Sequence, residues 1–403
     1  MSDDYKSVEQ LRRHLDNWDP DKECSFHEAK RYEYDDLGQL ATLHLCGQKL
    51  SQVPAEVWQC LALTRLYLDQ NRLSTLPVEL AKLSTLQFLS LSENQLTSLP
   101  AKLFKLTALS GLELRSNRLR NLPAEVGNLS ALQWLHLGEN QLTSLPAEVF
   151  NLAALQDLSL YDNQFQLSSL PAGISRLTAL NSLDLRGNQL TSLPAEVGNL
   201  SALQWLYLDQ NRLDTLPEEV IRLISLKCLS LNNNQLSSLP VEIGNLAQLH
   251  YLELNSNQLR TLPAAIGNLT ALRRLELRDN RLGTLPMEIG NLTALRVLFL
   301  DNNQLHSLPA DVDKLSALRV LSLSRNQLSS LPGEIWNLTS LRSLFLDNNH
   351  LRSLPAEVGK LSTLCYLYLD NNYLRNLPAE VDSLPSLTEL KWQPYRHDSA
   401  DEQ

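Results

Sequence analysis

Residues 203–217 read LQWLYLDQNRLDTLP, and the spacing of their leucines decides the fold. Leu206 and Leu208 are two residues apart, as on one face of a strand, and Leu203 lies where the chain enters that strand. Asn211 stands where the chain turns away, its carboxamide placed to donate to and accept from backbone groups of the turn and of the next coil. Leu213 and Leu216 bring the chain inward again. Pro217 is expected at the first position of a helical segment of one or two turns. Trp205 and Tyr207 occupy the alternate strand positions and therefore face away from the leucines.

The frame LxxLxLxxNxLxxLP restarts at every 23rd residue from Leu63 to Leu364, except for one step of 25 between Leu155 and Leu180. A weaker copy begins at Leu40 and a truncated one at Leu387, giving fifteen repeats and a fragment. The longer sixth repeat carries its extra residues after the asparagine, so Phe165 is expected in the leucine place with Gln166 and Leu167 looped out on a rim. Helical segments that close with glycine, at Gly127, Gly198, Gly244, Gly267 and Gly290, suggest left-handed ends. One coil cannot bury its own leucines. Stacked coils can, with each buried leucine contributing about 1.5–3 kcal/mol.

Composition narrows the class. Of the 403 residues 43% are hydrophobic, which excludes a disordered chain, yet no apolar run approaches the roughly 20 residues needed to cross a bilayer. The start, MSDDYKSVEQLRRHLDNW, has no apolar h-region, so a cytoplasmic protein without membrane insertion is expected. A net charge of -10 argues against nucleic acid as a partner. The five cysteines are Cys24, Cys46, Cys60, Cys228 and Cys365, an odd set that fits a reducing compartment. Cys24, His27, His44 and Cys46 are four potential zinc ligands, but neither pair has the usual ligand spacing, and ordinary thiols with a solvated histidine are the better reading. No GxSxG, HExxH, paired Cys-x-x-Cys or phosphate-binding loop occurs, so neither enzymatic activity nor a cofactor is expected.

Residues 40 to about 385 resemble the leucine-rich repeat family, and the 23-residue unit ending LPxE[VI]GNL is similar to its Ras-suppressor and Ras-scaffold branch. The resemblance implies an α/β solenoid, a horseshoe with a parallel sheet on the concave face and short helices on the convex face. It also implies a protein-binding scaffold, with small GTPases and phosphatases among the branch's partners. The matching residues, such as Asn211 and Pro217, build the scaffold and identify no partner.

Both ends read as caps, dividing the chain into a helical cap (1–39), the solenoid (40–385), and a closing segment with an acidic tail (386–403). Ser7 and Gln10 form a capping-box pattern, and Val8, Leu11, Leu15 and Trp18 recur at helical spacing, so residues 5–17 are expected to form a helix over the first repeat. Trp392 and Tyr395 are placed to close the last coil.

The outward strand columns hold the candidate binding residues. Trp134, Trp205 and Tyr207 project large aromatic groups where structure demands little, although packing among neighbouring aromatics is an equal account. Val297, Phe299, Val320, Phe345, Tyr366 and Tyr368 share the same face of repeats 12–15, with Tyr373 just beyond. They either bind a partner or pack beneath the segment around Trp392 and Tyr395. Arg273, Arg296, Arg319 and Arg342 form a column along the rim of this patch. Glu276, Asp279, Asp301 and Asp347 lie close enough in sequence to neutralise it, and an acidic partner is the alternative. The expected function is a monomeric, non-catalytic scaffold that takes a protein on its concave face, or else an arm that binds a peptide or saccharide.

Overall fold

A 23-residue coil with leucines at fixed places can be satisfied in only one way, by laying each coil on the last. The computed structural model describes residues 32–163 and 170–395, together with the short antiparallel pair Glu23–Cys24 and Ala29–Lys30. The helix expected at 5–17, the side chains of Cys24 and His27, the insertion at Phe165–Leu167 and the acidic tail lie outside the described residues. The chain divides into two units, Met1–Leu203 and Gln204–Gln403.

In the first unit, strand Tyr32–Tyr34 lies antiparallel to Leu40–His44, and parallel strands then follow one per repeat to Ser182–Asp184. In the second, parallel strands run from Trp205–Tyr207 to Tyr366–Tyr368, and Glu389–Lys391 adds a last parallel strand. Leucine pairs with leucine in every parallel register among the described strands, as Leu275 with Leu252 and Leu298. Strands stack on strands and helical segments on helical segments, with the leucines buried between the two layers. Leu203, Leu206, Leu208 and Leu213 are all 0% exposed. This is the expected parallel-sheet solenoid.

Local geometry corrects the sequence reading in four places. The helical segments are five-residue 3-10 turns, and each proline stands just before its segment rather than inside it. Pro217 has φ -58° and ψ 133°, and its carbonyl accepts the Val220 amide at 3.0 Å. A ring-locked φ suits this extended conformation as well as it suits a first helical turn.

The terminal glycines are not left-handed, since the positive-φ glycines among the described residues are Gly38, Gly47 and Gly187. Gly127 and Gly244 are required by close packing: an added Cβ would lie 2.8 Å from the Glu148 carbonyl oxygen in one case and 2.7 Å from that of Ala265 in the other.

The left-handed position is instead the residue before the asparagine, as at Glu93 (φ 55°), Asn233 (φ 55°) and Asp279 (φ 55°). Such a conformation costs roughly 1–2 kcal/mol for a residue with a Cβ. The asparagine that follows holds it in place, but it reaches the preceding coil, not the next. Asn94 Nδ2 donates to Leu68 O at 2.9 Å, Leu91 O at 3.1 Å and Ser92 O at 3.2 Å, while its Oδ1 accepts from Leu73 N at 3.0 Å.

The fourth correction concerns His44, which is not solvated. It is 4% exposed and stacks on Tyr67 with centroids 4.2 Å apart. Cys46, Cys60 and Cys228 are buried and Cys365 is partly exposed.

Candidate partner-binding face

Parallel registration at one repeat per strand turns every sequence column into a physical row. Val297 pairs with Val320, Ser343 with Tyr366, Ser322 with Phe345, and Phe345 with Tyr368, so the six residues expected in repeats 12–15 do share one surface. Phe345 and Tyr368 meet edge to face at 4.9 Å, and Tyr366 is 41% exposed. Phe299 is less available than expected, because the Arg278 guanidinium lies 3.6 Å from its ring centroid and that of Arg274 5.0 Å away. Lys391 caps Tyr368 at 4.1 Å. Tyr373 stands apart from these six and touches Tyr395, with ring centroids 5.1 Å apart, beside a 520 Å³ cavity lined also by Arg352 and Arg375.

Trp134 and Trp205 lie in different units. Trp134 is 38% exposed beside Gly111, whose missing side chain leaves room for Phe88. Trp205 is half-buried next to Cys228, with the Lys227 ammonium 5.9 Å from its ring. Burial pushes the Cys228 thiol up to about 12, with Glu253 and Asp209 adding to the shift, so it is not a nucleophile at neutral pH. Tyr207 is half-buried on the same strand.

Arg273, Arg296, Arg319 and Arg342 are exposed and stacked, each linked to the next by a backbone hydrogen bond of 2.8 Å where Arg296 N meets Arg273 O, Arg319 N meets Arg296 O, and Arg342 N meets Arg319 O. The carboxylates expected to neutralise them are engaged elsewhere. Glu276 pairs with Arg274, and Asp301 takes Arg278 Nε at 2.9 Å. Asp347 accepts from Ser324 Oγ at 2.6 Å, and Asp279 from Asn302 Nδ2 at 2.5 Å. Among the described residues none of the four column arginines has a salt bridge.

The first unit holds an opposite arrangement. His136 lies between Glu113, at 2.8 Å, and Asp157, at 3.4 Å, with Arg115 Nη2 3.0 Å from its Nδ1. Burial would lower the His136 pKa, but bonds to Asp157 and Glu113 and the charges of both override it and push it up to about 9. A cleft of 310 Å³ opens beside this cluster, lined by Phe88, Glu93, Glu113, Arg115, Glu139 and Tyr161.

A profile of the leucine-rich repeat region matches residues 105–187, 174–256, 218–307 and 294–402, and a leucine rich repeat profile matches 38–96. The chain belongs to the leucine-rich repeat family. Its fold is similar to that of a leucine-rich repeat protein of Leptospira interrogans, with 41% identity, a TM-score of 0.83, and coverage of 87% of this chain and 91% of that one. An internalin of Listeria monocytogenes is similar at 26% identity and TM-score 0.69, covering 78% and 89%. The PEPR1–AtPEP1 structure is similar at 30% identity and TM-score 0.77, covering 98% of this chain and 59% of that one. No curated protein matches the chain at a significant level.

Column reading in this leucine-rich repeat chain did not single out Arg274 and Arg278, which reach from their own rows to the Phe299 ring, nor Lys391, which follows Tyr368 in its own row in the truncated last repeat. It also stopped the cationic column two repeats early. Lys227 and His250 hold the same position before their strands, a signal present in the 23-residue spacing.

Proposed function

We propose that this leucine-rich repeat chain is a non-catalytic recognition scaffold of the 23-residue Ras-suppressor-like type, and that it takes a protein partner on the outward sheet face of repeats 12–15. The observation that carries this reading is two in-register pairs on adjacent rows, Val297 with Val320 and Phe345 with Tyr368, all half-buried and flanked by arginines that have no salt bridge among the described residues. Apolar rings bordered by guanidinium groups are the composition of an interface centre. The structural neighbours add support, since the PEPR1 structure contains AtPEP1. A small GTPase or a phosphatase is the partner class that the branch resemblance suggests.

Affinity capture with the wild-type chain, repeated with Phe345→Ala/Tyr368→Ala, tests the proposal. A partner held by the wild type and lost from a variant with unchanged circular dichroism is the expected result. Equal capture by both proteins would remove this face from consideration.

A further inference from the structure

Along the strand-entry edge of the second unit, Lys227, His250, Arg273, Arg296, Arg319 and Arg342 occupy the same place in six successive repeats. We propose that this row is a docking track for an extended acidic segment of a partner polypeptide, about seven or eight residues long, in which carboxylates alternate with apolar side chains. The proposal rests on the reading of repeats 12–15 as a binding face and names what that face recognises.

Spacing sets the length of the segment. Adjacent strands lie about 4.8 Å apart, so six stacked positions span about 24 Å, which an extended chain rising about 3.3 Å per residue covers in seven or eight residues. Among the described residues the charge is uncompensated. Backbone hydrogen bonds fix the register, from Lys227 O to the His250 amide at 2.8 Å and from His250 O to the Arg273 amide at 2.9 Å, and none of the six side chains has a carboxylate partner among the described residues. Burial and the charges of Arg273 and Lys227 lower the pKa of His250, a sign that these neighbours repel one another.

What lies beside the row selects a polypeptide over other polyanions. Immediately inward on the strands that follow Arg296, Arg319 and Arg342 are Val297, Val320 and Phe345, with Tyr368 on the next strand, an apolar strip along the carboxy-terminal half of the row that nucleic acid or a sulfated glycan has no group to match. An extended chain presents alternate side chains to opposite sides, so one sequence can offer carboxylates to the arginines and apolar groups to the strip. The net charge of -10 further disfavours a long uniform polyanion.

The test uses the full chain and a fluorescein-labelled octapeptide of alternating Glu and Val, read by anisotropy. Saturable binding is expected, weakening about tenfold or more as salt is raised from about 50 to 300 mM. Arg296→Glu/Arg319→Glu should lower affinity more than tenfold, whereas Gln133→Glu/Gln156→Glu, at the same column in the first unit, should leave it unchanged. A Gln–Val octapeptide that binds as well, insensitivity to the arginine reversal, or tighter binding of duplex DNA or a heparin fragment would each overturn the track. If the natural partner is still lost from Phe345→Ala/Tyr368→Ala while no octapeptide binds, the apolar face stands and the track alone fails.

Discussion

The two units are built from the same repeat and differ in how they treat charge. Before its strands the first unit carries Thr64, Gln87, Ser110, Gln133, Gln156 and Asn181, where the second, between Gln204 and Cys365, carries Lys227, His250 and four arginines. On its outward face the first unit closes its charges on one another, in Arg65–Glu33 at 2.9 Å, Glu113–His136 at 2.8 Å and Arg186–Asp184 at 2.6 Å. The second pairs Arg274 and Arg278 and leaves the adjacent row open. Leucine and asparagine positions are fixed by stacking, whereas the solvent columns are free to diverge, and it is there that the units have become different surfaces.

If the scaffold is truly common to both, core truncations must cost the same in each. Leu112→Ala and Leu275→Ala, at sites 1% and 0% exposed, should each lose about 2–5 kcal/mol in urea denaturation. A gap between them of more than about 2 kcal/mol would break the comparison at its base.

The closed charge cluster of the first unit should show itself in pH dependence. His136 is raised from 6.5 to about 9 on folding, so its contribution is complete below pH 6.5 and disappears as pH rises through about 9. Relative to His136→Gln, the wild type should lose about 3 kcal/mol across that window. Two melting curves at either end check it, and a flat difference would mean the histidine is not held by Glu113 and Asp157. The matching column in repeats 12 and 14 holds Phe299 and Phe345, so no such titration is expected there.

On the open surface of the second unit, structure should depend little on the side chains. Phe345→Ala with Tyr368→Ala should cost about 1 kcal/mol for the edge-to-face pair beyond the half-buried ring area it gives up, while removing partner binding. A loss several times larger in calorimetry would make the patch a cap for the carboxy-terminal segment. Smallest of all, Arg296→Gln with Arg319→Gln should raise stability by about 0.3 kcal/mol at low salt and by nothing at high salt, as repulsion between like-charged neighbours is relieved. Gln133→Arg with Gln156→Arg should impose the same small penalty on the first unit, which would sharpen the comparison from the other side.

The repeat, its sheet and the identity of each row were legible because one period of 23 residues fixes which side chains lie side by side. Less was legible wherever a contact leaves its row. Glu276 turned to Arg274 on its own strand rather than to Arg273, and Arg278 laid its guanidinium on the Phe299 ring, off its own row in the next coil, choices set by side-chain reach. The antiparallel strand Tyr32–Tyr34 follows no repeat, and its pairing with Leu40–His44 had no periodic signal to reveal it. The left-handed residue before each asparagine was hidden for a different reason. Asparagine is its commonest occupant, but glutamine, glutamate, serine, aspartate, arginine and one glycine hold it too, so no single residue type marks a conformation that the asparagine bonds enforce.

Those bonds also have a direction. In the regular repeats an asparagine reaches back to a carbonyl 26 residues earlier and accepts from an amide 21 residues earlier, as Asn280 does with Leu254 and Leu259, whereas Asn188, after the longer repeat, reaches back 28 residues to Leu160 O. A coil therefore waits only for its immediate successor to complete its polar bonds. On the ribosome, where the chain emerges amino end first, every 23 new residues lock the coil before them, and the protein can be wound up in the order in which it is made.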